Sequence, residues 1–389
     1  MPATPSEQLH NAWNPGIEAE IPPAYRILET IYAPQWVTTT LDEVNHLVTD
    51  TGLSALEWIS FRPTRLALHE LIVRVTADIV VREGEAEEDL GINFRALSQM
   101  LWQQYIEPET DHIQQIYRDL ELQIQKLTQS ALQSALKPAP ATDRPSPPLW
   151  QRLFGKQSKQ QHAEPQSREE REFALINDFK TRGLESSDAC EAAVFRSLHR
   201  VLAAVIRTRG FLGHDIQYLT HICSLHALNY LASREIGKLV GQRVQEAIAE
   251  QGLAMIPDAQ KPILISLKGA SASGKSSLRP MMRQMLAELD IEAHGYGTIS
   301  PDIWRKLLLD YESLGEAYKY AGRFTSHEVS MIDSRLDRYI RNKAERQHSI
   351  PHLVVDRFRF DSFASEKISR VLHKTYARYI DTMYMYFII

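Results

Sequence analysis

The sequence predicts mainly α-helical regions followed, over residues 259–389, by an α/β domain with a parallel sheet and helices on both faces. Three observations predict it. Apolar residues recur at helical spacing through most of the first 250 residues. Short, wholly apolar runs follow after Gly252. The first of these runs leads directly into a glycine-bounded turn and then a helical segment. Steps of three and four mark a helix face, whereas a brief apolar run between turn signals marks a strand buried on both faces.

The chain has 389 residues, a length that suits two or three domains. With 43% hydrophobic and 24% charged residues it has the balance of a globular chain, which excludes fibrous and fully disordered classes. Cys190 and Cys223 are the only cysteines, too few for a disulfide framework, so a reducing, cytoplasmic setting is expected. No apolar run approaches the roughly 18 residues of a membrane span. The opening Met1-Pro2-Ala3-Thr4-Pro5-Ser6-Glu7 has neither the basic nor the apolar region of a signal peptide. Charge is uneven. From Pro262 onward 19 Lys and Arg face 15 Asp and Glu, whereas the preceding part carries a net charge of −9. The basic surplus suits a phosphate-bearing ligand. No run of Lys and Arg marks a nucleic-acid track, and no nucleic-acid partner is expected.

Residues 1–136 read as a mainly helical N-terminal region whose Pro-rich opening is loosely ordered. Leu66-Ala67-Leu68-His69-Glu70-Leu71-Ile72, continued by Val75, Ile79 and Val80, carries one helical pattern. Ile113, Ile116, Tyr117, Leu120, Ile124, Leu127 and Ala131 carry a clearer one, and Pro108 just before them fits a helix start. Residues 137–168 read as a linker, because Pro138, Pro140, Pro145, Pro147, Pro148 and Pro165 forbid regular helix amid Lys, Gln and Ser. Inside it, Leu149-Trp150-Gln151-Arg152-Leu153-Phe154 reads either as a short helix on a neighbouring domain or as a docking motif for a partner or a membrane surface.

Residues 169–258 read as a second helical region, with Val194, Leu198, Val201, Leu202 and Val205 on one stripe and Leu219, Ile222, Leu225 and Leu228 on another. A protein partner would engage these helical regions. His221, Cys223 and His226 are close in sequence, but their offsets do not share a helical face, so they read as packed helix residues rather than metal ligands.

Chemistry enters with Ile263-Leu264-Ile265-Ser266-Leu267, a buried-strand pattern after Pro262. Next comes Gly269-Ala270-Ser271-Ala272-Ser273-Gly274-Lys275-Ser276, which matches G-x-x-x-x-G-K-[ST], the phosphate-binding P-loop or Walker A motif. Gly269 and Gly274 permit a tight turn that aims successive amides into one hollow, and the following helix adds its positive end. The nucleotide is then held by Gly269, Ala270, Ser271, Ala272, Ser273, Gly274, Lys275, Ser276 and Ser277. Lys275 reaches the β- and γ-phosphates, and the Ser276 hydroxyl holds Mg²⁺. ATP and Mg²⁺ are the cofactors this motif calls for.

His294-Gly295-Tyr296-Gly297-Thr298-Ile299 reads as a second strand. Ser300-Pro301-Asp302 after it reads as a capped helix start. Asp302 thus falls at the carboxyl end of a strand, where it either accepts a proton from a substrate hydroxyl or complements a helix dipole. His352-Leu353-Val354-Val355-Asp356 reads as a third strand, continuing into Arg357-Phe358-Arg359-Phe360. Met383-Tyr384-Met385-Tyr386-Phe387-Ile388-Ile389 reads as a buried fourth.

The P-loop, the segment Ser300-Pro301-Asp302-Ile303-Trp304-Arg305 and the aromatic-rich stretch Tyr318 to Glu328 together resemble the zeta toxin family of P-loop kinases, over about the last third of the chain. The resemblance implies phosphoryl transfer from ATP to a hydroxyl of a small molecule such as UDP-N-acetylglucosamine. It implies that Asp302 is the catalytic base alongside Lys275, and that Arg305, Glu328 and Asp356 bind substrate. Each acceptor-side residue has a second reading. Thr325-Ser326-His327-Glu328 also fits a capping box. His327-Glu328 does not begin a zinc-protease HExxH, because Met331 stands where the second His would be. Asp356 also fits a carboxylate that holds Mg²⁺ through water or pairs with Arg357 or Arg359. Tyr318, Tyr320 and Phe324 read as helix packing rather than base stacking. The family also carries an arginine-bearing lid, a further strand and an adenine pocket beyond the fourth strand, so the domain reads as C-terminally incomplete. The rival expectation is a nucleotide-binding regulatory or interaction protein whose P-loop domain is catalytically incomplete.

Overall fold

A computed structural model describes residues 20–86, 88–136, 167–269, 278–292, 294–346, 350–356 and 383–388. In chain order the regular elements are α1 (Leu41–Thr51), α2 (Pro63–Asp78), α3 (Asp89–Leu101), α4 (Thr110–Ala135), α5 (Arg168–Glu185), α6 (Ala189–Arg209), α7 (Ile216–Gln251), β1 (Leu264–Gly269), α8 (Arg279–Glu288), β2 (Tyr296–Ile299), α9 (Arg305–Leu308), α10 (Ala321–Arg346), β3 (His352–Asp356) and β4 (Met383–Ile388). The described residues are mostly helical, with one small parallel sheet. They fall into two compact units. One takes the chain up to residue 41 together with 59–117 and everything from 232 onward. The other takes 42–58 and 118–231. The units interleave along the chain, unlike the consecutive segments 1–136, 137–168, 169–258 and 259–389 that composition suggests. The cause is long-range pairing: α2, near the start of the chain, shares buried ion pairs with α10.

In the second unit, Ser167 and Glu170 form a reciprocal capping box that opens α5 at Arg168, so the expected linker gives way to helix before its end at 168. The rest of that linker, including Leu149 to Phe154, lies outside the described residues, as do residues 1–19. Asp188 caps α6, and Gly210 ends it at φ 83° in the left-handed region that glycine adopts without cost. The expected stripe Val194, Leu198, Val201, Leu202 and Val205 is buried throughout. Gly183 of α5 lies so close to α6 that an added Cβ would stand 3.0 Å from the backbone nitrogen of Arg196.

In the first unit, α2 is enclosed nearly all round, with 12 of its 16 residues buried. Its polar residues therefore need partners within the protein. Ser233 donates to Glu70 at 2.6 Å, and Tyr339 and Lys343 serve Asp78 at 2.6 and 3.2 Å.

The sheet has the order β2-β3-β1-β4 and is parallel throughout. Leu264, Ile265 and Leu267 are at most 1% exposed, which explains the unbroken apolar run: both faces of β1 are covered. Ile265, Leu267 and Val354 pack with Met282 and Leu286 of α8 and with Tyr296. The four strands start and end within two residues of the expected limits, and β4 pairs in parallel with β1 from Leu264↔Met383 to Gly269↔Ile388. The chain leaves β1 toward β2 on one side and leaves β3 toward β4 on the other. The carboxyl ends of the adjacent strands β1 and β3 therefore form the topological switch point of the sheet, the place where open α/β sheets bind ligands.

Candidate functional site

The switch point is bounded by Gly269, the last residue of β1, and Asp356, the last of β3; Leu267 pairs with Asp356 in register. Ala270, Ser271, Ala272, Ser273, Gly274, Lys275, Ser276 and Ser277 lie outside the described residues. The chain re-enters at Leu278, and Arg279 opens α8. Arg279 is a rim residue that sequence reasoning missed. Only 8% exposed, it donates through Nη2 to Ser300 Oγ at 3.0 Å and to Asp356 Oδ2 at 3.4 Å. One guanidinium thus ties the carboxyl end of β3 to the residue that follows β2. Ser300 makes no side-chain cap to the helix after it, contrary to expectation, because Arg279 claims its hydroxyl. Asp356 pairs with Arg279 in the structure.

Asp302 stands in the first turn of the 3₁₀ helix Pro301–Trp304, as expected, anchored by the fully buried Trp304. Its side chain is 83% exposed and accepts from Arg305 Nε at 2.8 Å. Arg305 Nη1 reaches α10, donating to Gly322 O at 2.7 Å and Thr325 Oγ1 at 2.8 Å. The Asp-x-x-Arg spacing therefore has a physical meaning. The two residues meet one turn apart, the arginine is clamped to a neighbouring helix, and the carboxylate stays open to solvent.

Glu328 lies elsewhere. The capping-box reading fails, because α10 begins at Ala321 and Thr325 turns back onto Ala321 O at 3.2 Å inside the helix. Glu328 is fully buried and accepts from Arg65 Nε at 2.6 Å and Nη2 at 2.8 Å, and from His69 Nε2 at 2.5 Å. Arg335 Nη1 sits 2.7 Å from His69 Nδ1. A guanidinium can only donate, so Nδ1 accepts and Nε2 carries the imidazole proton. Burial pushes the Glu328 carboxyl up, but the Arg65 charge and the His69 hydrogen bond outweigh it and hold the group well below the usual carboxylate range. Burial lowers His69 to about 4, against the weaker upward pull of Glu328. Of the expected acceptor-side residues, Asp302 and Arg305 meet directly, Asp356 joins the rim through Arg279, and Glu328 is enclosed by α2. Arg65 and His69, one turn apart in a helix that also carries a broad apolar surface, were the signal that could have located this cluster.

His69 sets a pH dependence. Its unfolded-state pKa is about 6.5, so below that pH the unfolded chain takes up a proton that the folded chain refuses. Stability is expected to fall by about 3 kcal/mol as pH drops from 6.5 to 4 on this account. Glu328 acts later, its contribution draining away as pH falls below the ordinary carboxylate range of about 4.3. His69→Gln, which keeps a donor and an acceptor, is expected to flatten the first interval in denaturant titrations run at several pH values. An unaltered slope would mean that His69 does not stay neutral in the fold.

Tyr320 and Phe324 are buried as helix packing, against Tyr25 and Leu28, whereas Tyr318 is 60% exposed. His226 Nδ1 bonds Ser197 at 2.9 Å, His221 approaches Glu43 at 3.4 Å, and Cys223 is fully buried. Among the described residues no three or more His, Cys, Asp or Glu gather as metal ligands, and no helix is long and apolar enough to cross a membrane. Comparison with protein-family models, curated proteins and solved structures finds no match to this chain.

Proposed function

We propose that this chain is an ATP-dependent phosphotransferase, resembling zeta toxin, that acts on a hydroxyl of a small molecule such as a nucleotide sugar. One observation carries the reading. The sequence that spells a P-loop starts at the last residue of β1, and β1 flanks the switch point of a parallel sheet with a carboxylate, Asp356, at the end of the strand opposite. The motif calls for a loop of amides there to cradle phosphates. Bound Mg·ATP supplies the transferable phosphoryl group. Lys275 and the loop amides would hold its phosphates, and Ser276 and Asp356 would hold the metal ion that offsets the phosphate charge. Asp302 accepts the proton as the acceptor oxygen bonds to the γ-phosphorus and ADP leaves, with Arg305 fixing the carboxylate.

The test is incubation of the full chain with Mg·ATP and a panel of nucleotide sugars and small alcohols, read by mass spectrometry for an added phosphate. Asp302→Asn is expected to leave ATP affinity intact and to slow transfer by about 10²–10⁴-fold. Transfer at a near-normal rate would remove Asp302 as the base. A second reading, a nucleotide-responsive interaction protein, is favoured by one observation: the Glu328 carboxylate is already saturated by Arg65 and His69. Tight ATP binding with no phosphorylated product across the panel would select it.

A further inference from the structure

Helix α8 lies in sequence between β1 and β2, two strands that stand apart in the sheet with β3 between them. Its two arginines, four residues apart, both reach groups that hold β2. Arg283 donates to Gly84 O at 2.8 Å and stands 3.9 Å from Glu83. Glu83 in turn accepts from Thr298 Oγ1 at 2.7 Å and from Tyr296 OH at 3.0 Å. Arg279, in the first turn of α8, donates to Ser300 Oγ at 3.0 Å and pairs with Asp356 at 3.4 Å.

The two lines differ in kind. Arg283 is 32% exposed at its side chain, so water can replace its partners. Arg279 and Ser300 are both buried, where a hydrogen bond is stronger and its loss is not repaired by solvent. Ser300 is gripped twice. Its hydroxyl accepts from Arg279, and its carbonyl accepts from the Ile303 amide at 3.1 Å inside the turn that carries Asp302. Arg305 thus holds Asp302 from the α10 side, and Arg279 holds the same turn from the α8 side.

We infer that Arg279 is a positioning residue that couples phosphate loading at the start of α8 to the placement of Asp302. The inference rests on the phosphotransferase reading, which puts phosphates at that helix start and the proton acceptor at Asp302. Phosphates act on the first-turn amides and on the helix dipole. Arg279 stands in that first turn, so an adjustment of α8 passes to Ser300 through a single side chain. The same guanidinium engages Asp356 on the metal side, so it sets the spacing between metal-side carboxylate and base. That spacing matters, because a misplacement of about 1 Å can cost roughly 10²-fold in rate.

Hydrogen exchange of the full chain with and without Mg·ATP, read by mass spectrometry on peptides covering residues 300–306, tests the coupling. In the parent chain Mg·ATP is expected to slow exchange at the Ile303 and Arg305 amides, which bond to Ser300 O and Asp302 O. Ser300→Ala leaves the Arg279–Asp356 pair in place and cuts the link to the turn. It is expected to bind Mg·ATP as the parent does, to lose the slowing, and to transfer phosphate about tenfold more slowly, the worth of one hydrogen bond to a charged group. Ser300→Thr, which returns the hydroxyl, is expected to restore both. Arg283→Gln is the control and is expected to keep the slowing. A purely structural Ser300 would lower the melting temperature and leave the nucleotide-dependent slowing in place. Slowing that persists in Ser300→Ala, or that vanishes equally in Arg283→Gln, overturns the inference and leaves the functional reading standing. A parent chain that binds Mg·ATP without slowing at residues 300–306 does the same. A parent chain that binds no Mg·ATP removes the functional reading and the inference with it.

Discussion

Lys275→Ala is expected to abolish measurable binding of Mg·ATP by the full chain. The ammonium is the one fixed cation that the motif supplies to the β- and γ-phosphates. A charge-assisted hydrogen bond of this kind is worth about 1.5–3 kcal/mol, and the substitution removes one to each phosphate. A fall in affinity of at least about a hundredfold follows from that range. Titration calorimetry measures it, with circular dichroism to show that the helices persist. The substitution separates two levels of the functional reading. Asp302→Asn spares nucleotide binding and slows transfer, whereas Lys275→Ala removes the binding on which transfer depends. Affinity unchanged by Lys275→Ala would refute the role given to Lys275 in holding the phosphates.

The second large effect concerns the buried cluster. Glu328→Ala is expected to destabilise the first unit by about 3–5 kcal/mol, the cost of removing one partner from a buried ion pair. The carboxylate is the anion shared by Arg65 and His69, and Arg335 faces His69 from the other side. Without Glu328 the buried guanidinium of Arg65 loses its carboxylate and faces the half-buried Arg335, which Glu70 partly offsets, across a neutral imidazole. That loss is a large part of the 5–15 kcal/mol that typically separates folded from unfolded chains. Glu328→Gln keeps the shape and some of the hydrogen bonds and is expected to cost less. Denaturant titration gives both values; a cost for Glu328→Ala below about 1 kcal/mol would place it in the range of surface ion pairs and contradict the buried geometry.

Local pattern was a good guide where burial follows from apolarity alone. The stripe of α6 and the β-strands were legible because nearly all of their inward residues are apolar, with Ser197 and Ser266 among the exceptions, and the periods of helix and strand differ. On α4 the reading was partial. Ile113, Tyr117 and Ile124 are buried, but so are Thr128 and Leu132, while the expected Leu127 and Ala131 are only half-buried. A buried threonine breaks the hydrocarbon pattern and is invisible to it. The Asp302–Arg305 pair could be read because its partners are three residues apart. Arg279, Ser300 and Asp356 could not, since their meeting is created by strand order rather than by spacing. Arg65 and Glu328 are 263 residues apart, and no window on the sequence brings them together. The division into units was hidden for the same reason: composition marks where the chain changes character, not which distant parts share an interior.

The strand order has a consequence for how the protein is made. β1 emerges from the ribosome long before β3 and β4, the two strands that flank it, and α2 emerges some 250 residues ahead of the glutamate that neutralises its arginine. The sheet-bearing unit therefore stays unfinished while the bulk of the polypeptide is synthesised, with apolar segments and lone cations awaiting partners. The other unit has all of its residues once position 231 has been added. Birth of this protein is thus a waiting problem, in which early-made pieces stay uncovered until their late-made neighbours arrive.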